Sequence, residues 1–298
     1  MALCEKEELK IKGKVVPHQQ MRDLISLKTG GEVDLFVTPE DKDDLKIVLS
    51  FCKERKIHPF IIGNGTKLLV KDKGIRGIVI KLGSSFKQIE NHEEEIKVGA
   101  GIDLSNLIDF TLKKGLSGLE FLAGIPGTVG GAIVRNAGAF SESISEKILS
   151  VKAMDKNNND LVLSNKEIKF DYRTSIFMKR KDWVLIEAKL RLSPGEKDKI
   201  FSKLREIKRK KMLSQPLSFP SAGCIFKNPS SYSAGFLIQQ VGCAGMRIGD
   251  AEVSSHHTNF IINKGEATAE DIIRLIEGVQ KKVKEKFGII METELEII

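Results

Sequence analysis

Two glycine clusters hold the residues whose types and spacing best suit a phosphate-bearing ligand. The first, IIGNGTKLLV, turns out of an apolar run through Gly63, Asn64, Gly65, Thr66 and Lys67. The second, AGIPGTVGGAIVRNAGAF, carries Gly124, Gly127, Gly130, Gly131 and Gly138. Glycine admits positive φ and close backbone approach, so successive N–H groups can face a pyrophosphate. Neither cluster has the GxGxxG spacing of a Rossmann turn or the GK[ST] of a P-loop, and each alone also reads as a structural turn. Two of them, each launched from an apolar segment, favour binding. Downstream, FDYRTSIF places Tyr172, Arg173 and Ser175 after a hairpin, where an arginine either grips a carboxylate in two-point fashion or makes a surface ion pair. SAGCIFKNP sets Cys224 in a glycine-flanked turn near Lys227 and Asn228, although a packed, inert thiol is the commoner fate of a lone cysteine. At the end of the chain Glu292, Glu294 and Glu296 alternate with Thr293, Leu295 and Ile297, the pattern of a strand with one wet face. His256 and His257 are adjacent; on a strand they point to opposite faces and cannot chelate one ion, so no metal site is expected. A G-x-S-x-G hydrolase elbow is lacking.

These groups need elements to position them. GEVDLFVTP reads as a strand, and Leu45, Val48, Leu49 and Cys52 recur at helical spacing. Further strands are expected at 60–62, 77–81 and 96–98, then a helix with Leu104, Leu107, Ile108 and Leu112 inward, stopped at Gly115. Segments 148–154 and 161–163 flank the turn-rich DKNNND as a hairpin, and 183–192 alternates as a strand. SPGEKDK is the best domain boundary. A basic helix follows, then a short helix, a strand near 259–262, a long helix over Ile272 to Phe287, and a closing strand GIIMETELEII. Strands and helices do not alternate regularly, so the fold class is α+β rather than a doubly wound sheet.

Composition bounds the reading. In 298 residues, 41% hydrophobic and 30% charged content is that of an ordinary globular protein, which excludes a disordered or collagen-like chain. Four cysteines without a CxxC pair do not make a disulfide framework. The opening MALCEKEELK has no apolar leader and no run is long enough to span a bilayer, so a cytoplasmic protein with reduced thiols is expected. The net charge of +8 peaks in KLREIKRKKM, where Ile200, Leu204 and Ile207 share one face. That block reads as a solvated amphipathic helix, since no aromatics are interleaved for base stacking.

Read in order, IGNGTKLLV, GIPGTVGGAIVRNAGAF, YRTSIF, PSAGCIFKNP, GMRIGDAEVSSHHTNFIIN and METEL resemble the MurB family of UDP-N-acetylenolpyruvoylglucosamine reductases, from about Leu27 to the C-terminus. The resemblance implies an N-terminal extension over 1–26, an FAD-binding PCMH-type domain of two α+β subdomains over 27–193, and a C-terminal α+β substrate-binding domain over 194–298. The last strand would return to the active site. It implies bound FAD and NADPH as hydride donor, a UDP-sugar enolpyruvyl ether as substrate, and no nucleic-acid or membrane partner; a monomer is compatible with it. By the same resemblance FAD contacts fall to Gly63, Asn64, Gly65, Thr66, Lys67, Gly124, Ile125, Pro126, Gly127, Thr128, Gly130, Gly131, Ala132, Asn136, Ala137 and Gly138. Substrate contacts fall to Tyr172, Lys227, Asn228 and His257, and catalytic roles to Arg173, Cys224 and Glu294. The family's usual proton donor is serine, whereas this motif reads Gly-Cys. The short interval between SIF and Trp183 leaves no room for a tyrosine-bearing insertion, so the chain resembles the shorter class.

The implied chemistry suits these residue types. Reduction of an enolpyruvyl ether delivers a hydride to C3 and a proton to C2, with negative charge developing on C2 and the adjacent carboxylate. A fixed arginine and a positioned acid stabilise that charge, and a thiol, with an ordinary pKa of about 8.5, still holds its proton near neutral pH. Two alternatives stand beside this reading. Another flavin enzyme of the same binding fold explains the glycine clusters but not YRTSIF, GCIFKNP and METEL together. A nucleic-acid binder using Lys203–Lys211 explains the basic surplus alone.

Overall fold

The structure is a computed structural model that describes residues 9–298. Cys4 and the start of the expected N-terminal extension lie outside the described residues. The chain forms two compact units, each discontinuous in sequence: residues up to His18, Asp34–Asn64 and Gly77–Arg209 make one, and Gln19–Val33, Gly65–Arg76 and Lys210–Ile298 the other. Compactness thus divides the chain differently from the contiguous cut at 193/194. Ser193–Pro194 pairs with Leu116–Ser117, and Gly195 N donates to Gly115 O, so the boundary motif is stitched into the first unit. Likewise Lys14–Gln20, within the stretch read as an extension, is an edge strand.

The first unit is built on two sheets. One has the order Lys14–Gln20, Glu32–Thr38, Ile75–Lys81, Phe60–Ile62, its last two strands being parallel. The other has five antiparallel strands in the order Asp160–Ser164, Ile148–Met154, Val184–Arg191, Glu95–Gly99, Ile89–His92. Helix α1 (Lys42–Glu54) buries Leu45, Val48, Leu49 and Cys52, as their spacing requires. Its first turn is anchored by Asp44, a buried carboxylate that accepts from the N–H groups of Lys12, Gly13 and Glu40 at 2.8–3.0 Å. Three donors offset the cost of burying the charge. Helix α2 (Leu104–Lys114) ends at Gly115, whose φ of +69° provides a left-handed C-cap.

Helix α3 (Val129–Val134) lies inside the second glycine cluster, which sequence alone reads as irregular because Gly130 and Gly131 are poor helix formers. Packing overrides propensity here. A Cβ on Gly130 would sit 3.0 Å from the Ala100 carbonyl oxygen, so any side chain here would push the turn and the neighbouring strand end apart by a few tenths of an ångström. Helix α4 (Lys197–Ser214) buries Ile200, Leu204 and Ile207, and also Lys211, whose pKa burial lowers to about 8; its other basic residues face outward, with Lys203 paired to Glu142 at 3.2 Å.

In the second unit an antiparallel sheet runs Ser221–Cys224, Phe260–Asn263, Ala251–Val253, Arg247–Ile248. Helices α5 (Ala234–Gln240) and α6 (Ala269–Phe287) share its core. A Thr268–Asp271 capping box starts α6, and Gly288 at φ +69° stops it. The expected closing strand is not continuous. Thr293 makes an isolated bridge to Phe226, the chain bends at Glu294 and Leu295, and only Glu296–Ile297 pairs as a strand, in parallel with Leu68–Leu69. No helix among the described residues is long and apolar enough to cross a membrane.

Candidate active site

In the first unit the two glycine clusters meet. A Cβ on Gly63 would lie 2.5 Å from Thr128 Oγ1, so the first loop passes directly over the hydroxyl that caps α3 by accepting from Gly131 N. Asn64 Nδ2 donates to Asp103 Oδ1 at 2.6 Å, and Asp103 bridges Thr128. The bridge occupies the N–H groups of Leu104 and Val129, whereas those of Asn64, Gly127 and Thr128 have no acceptor among the described residues. Half-buried N–H groups left over by the backbone pairing are what a diphosphate needs. The residues present therefore fit the FAD that the resemblance implies, and Gly63, Asn64, Gly127 and Thr128 are the ones that would hold it. Gly124 is exposed at φ +73°. Asn136, by contrast, is buried and its amide is spent on the protein, donating to Asp171 O and accepting from Ser145 N.

That same amide braces Arg173. Asp171 and Thr174 exchange both backbone hydrogen bonds around a two-residue tip, Tyr172 and Arg173, with Arg173 at φ +56°. A non-glycine residue held in the left-handed region costs about 1–3 kcal/mol and persists where the surroundings insist on it. From this turn Arg173 Nη2 donates to Gly138 O at 2.8 Å, and a Cβ on Gly138 would come within 3.3 Å of Nη1. Tyr172 is exposed, its ring 5.3 Å from the guanidinium carbon.

The second unit gathers the other sequence-selected groups. Cys224 ends the strand Ser221–Cys224; Glu294 N donates to the next carbonyl, Ile225 O, at 2.7 Å. Residues distant in sequence are thereby neighbours. The bend at Glu294 breaks the alternation read from the sequence: its side chain is 12% exposed against 72% for Glu292. Lys227 pairs with Glu292 at 3.1 Å, and Asn228 Oδ1 accepts from Ala234 N at the start of α5. Of the described cysteines, Cys52 and Cys243 are buried, which pushes the Cys52 thiol up to about 12 and raises Cys243 also. Cys224 alone is partly exposed among them.

His256 and His257 do not lie on a strand, which corrects the reason given for discounting them. They sit in the bend before Phe260–Asn263, and both amides donate to Ser254 Oγ. Burial, with help from His256, lowers the pKa of His257, whose ring lies 4.6 Å from that of Phe260. Among the described residues no group of three or more metal-ligating side chains converges.

Sequence reasoning missed Asn259. It is buried, and its side chain makes both hydrogen bonds of a missing strand to Phe226: Nδ2 to Phe226 O and Phe226 N to Oδ1, each 2.9 Å. An asparagine beside a strand start carries no local signal of such a role.

Comparison with known proteins identifies the family. The C-terminal domain model of UDP-N-acetylenolpyruvoylglucosamine reductase matches residues 215–298, and an FAD binding domain model matches 33–162. A UDP-N-acetylenolpyruvoylglucosamine reductase of Caldanaerobacter subterraneus is 44% identical over 98% of this chain and 96% of its own. The chain belongs to the UDP-N-acetylenolpyruvoylglucosamine reductase family. A family member from Bacillus subtilis is 40% identical over 96% of this chain and 94% of its own. The crystal structure of the MurB reductase from Thermus caldophilus superposes with a TM-score of 0.81 at 32% identity, covering 97% of this chain and 99% of that one. An FAD-binding portion followed by the family's C-terminal domain thus makes up the α+β fold.

Proposed function

We propose that this chain reduces UDP-N-acetyl-3-O-enolpyruvylglucosamine to UDP-N-acetylmuramate with NADPH, in the cytoplasm, as a step of peptidoglycan precursor synthesis on which wall growth, cell shape and division depend. Its family membership makes it a flavin-dependent oxidoreductase. The observation that supports the finer reading is the hydrogen bond from Glu294 N to Ile225 O, which brings residue 294 beside the chain segment that carries Cys224, the only partly exposed cysteine among the described residues.

Bound FAD supplies two-electron transfer, from NADPH to C3 of the enolpyruvyl group. The protein's part is placement and charge. Arg173, braced by its turn and by Gly138 O, offers a planar cation to the substrate carboxylate on which negative charge develops. Glu294, largely shielded from water, acts as the positioned acid that stabilises the developing enolate. Cys224 gives its proton to C2, and the resulting thiolate is reprotonated from solvent. Hydride plus proton saturate the C2–C3 double bond, and NADPH leaves as NADP⁺. Tyr172, Lys227, Asn228 and His257 complete the proposed substrate contacts.

The test is stopped-flow measurement of both half-reactions. Cys224→Ala should leave flavin reduction by NADPH near wild type and slow reoxidation by the enolpyruvyl substrate by about 10²–10⁴, the usual worth of a positioned acid. Cys224→Ser should keep much of the reoxidation rate, because a hydroxyl at the same place also carries a proton. Wild-type reoxidation in Cys224→Ala would leave this residue an ordinary packed thiol.

A further inference from the structure

Lys67 closes the first glycine loop, and by resemblance its place is among the FAD contacts. Its ammonium points elsewhere. Nζ donates to the Cys224 carbonyl oxygen at 2.7 Å and pairs with Glu294 Oε1 at 3.1 Å. The backbone from Lys67 onward is tied to the same region: Glu296 N donates to Lys67 O, and Leu68–Leu69 pairs with Glu296–Ile297. Gly223, at φ +69°, lies alongside the ammonium, where a Cβ would meet Nζ in ordinary contact at 3.4 Å. Both side chains are mostly shielded, at 23% exposure for Lys67 and 12% for Glu294.

We propose that Lys67 is a positioning residue for Cys224 and Glu294, holding the proposed proton donor's peptide and the proposed acid on one ammonium. This rests on the reading of Cys224 and Glu294 given above. Main-chain hydrogen bonds place the backbone of residue 294, but it stands at a bend, where no strand alternation dictates the course of its side chain. A glutamate has three torsions to fix. An ammonium hydrogen bond at 3.1 Å, which either protonation state of the carboxyl can accept, selects one arrangement of them, and the second contact ties that arrangement to the residue that bears the thiol. Lysine suits the task because its ammonium is a compact point with three donors, able to serve a carbonyl and a carboxylate together. The flat fork of arginine has neither that compactness nor that freedom of direction.

The experiment uses the FAD-loaded enzyme and compares Lys67→Met and Lys67→Gln with wild type, Glu294→Gln and the double variant Lys67→Met/Glu294→Gln. FAD content and affinity are read by flavin fluorescence, both half-reactions by stopped flow, and kcat and KM in the steady state. In Lys67→Met, FAD affinity, reduction by NADPH and substrate KM should stay within about threefold, while reoxidation and kcat fall about 10–100-fold, the cost of a modest misplacement of reacting groups. Lys67→Gln keeps one donor without the charge and should fall between. The double variant should reoxidise within about threefold of Glu294→Gln, because the lysine acts through that carboxylate.

Loss of FAD affinity that accounts for the slow reoxidation would overturn the proposal and return Lys67 to the cofactor. Wild-type reoxidation in Lys67→Met, or independent multiplying effects in the double variant, would also overturn it while leaving the roles of Cys224 and Glu294 intact. Wild-type reoxidation in Glu294→Gln would overturn both readings. Should Lys67→Met fail to fold, Lys67→Gln decides between the same outcomes.

Discussion

Asn259 offers a sharp test of how the segment from Cys224 to Lys227 is held. Phe226 forms a non-hydrogen-bonded bridge with Thr293, in which Lys227 N donates to Glu292 O and Glu294 N to Ile225 O. The N–H and C=O of Phe226 therefore face the other way, into the protein, where the Asn259 amide meets both at 2.9 Å. Phe226 is 1% exposed and Asn259 is 3% exposed, so water cannot replace the amide. Asn259→Ala deprives two buried backbone groups of their partner at about 1–3 kcal/mol each, a total of about 2–6 kcal/mol. Asn259→Asp is more informative. Its carboxylate can accept from Phe226 N but has no proton to give Phe226 O, and burial also disfavours the charge. Protonation restores the donor, so the folded-state pKa of the new carboxyl must rise above its unfolded value. A raised acid pKa means that the variant is nearest wild type at low pH and loses stability as pH climbs through that value. Urea unfolding by circular dichroism, wild type against each variant from about pH 5 to about pH 8, measures both effects. A deficit below about 0.5 kcal/mol in Asn259→Ala, or a pH-independent deficit in Asn259→Asp, would refute the account.

Three further outcomes follow from the geometry. Gly63→Ala places a methyl carbon 2.5 Å from Thr128 Oγ1 and must push that hydroxyl off Gly131 N, an N-cap worth about 1 kcal/mol; flavin fluorescence titration should show at least about tenfold weaker FAD binding, and unchanged affinity would remove this loop from the cradle. Arg173→Lys loses the two-point fork while keeping a cation, so reoxidation by substrate should slow about 10–100-fold with reduction by NADPH little altered; near-wild-type turnover would exclude Arg173 from the chemistry. Burial lowers the pKa of His257, so the unfolded chain takes up its proton first as pH falls and stability declines with pH below about 6.5, the ordinary imidazole value. Thermal melts of His257→Gln at about pH 5.5 and about pH 7.5 should show a smaller loss than wild type, and equal losses would place the titration elsewhere.

Much of this molecule is written locally. The apolar spacing in α1 and α6 marks which face is buried, because helical period and burial are properties of a few consecutive turns. Ordered short motifs identify the family, and alternation over 183–192 marks the strand Val184–Arg191. The residues YRTSIF and GCIFKNP single out Arg173 and Cys224 through resemblance, not through any physical signal of their own. Other features were illegible for a physical reason. Helix α3 forms where two glycines oppose it, because close packing on Ala100 outweighs propensity. The wet-strand pattern of Glu292, Glu294 and Glu296 fails because the chain bends at Glu294, and that bend answers to a carbonyl in a distant strand.

What the sequence by itself determined was the secondary elements with a clean period and the FAD-binding and reductase family, and through that family a set of candidate reactive groups. Which group serves which was decided only in three dimensions. Lys67 looks like part of a phosphate loop until its ammonium is seen on Cys224 O and Glu294, and Asn259 looks like the first residue of a strand until its side-chain amide is seen holding both main-chain groups of Phe226. Both roles depend on hydrogen-bond registers between segments far apart in the chain. Such registers are settled by the packing of the whole unit, and local spacing carries no record of them.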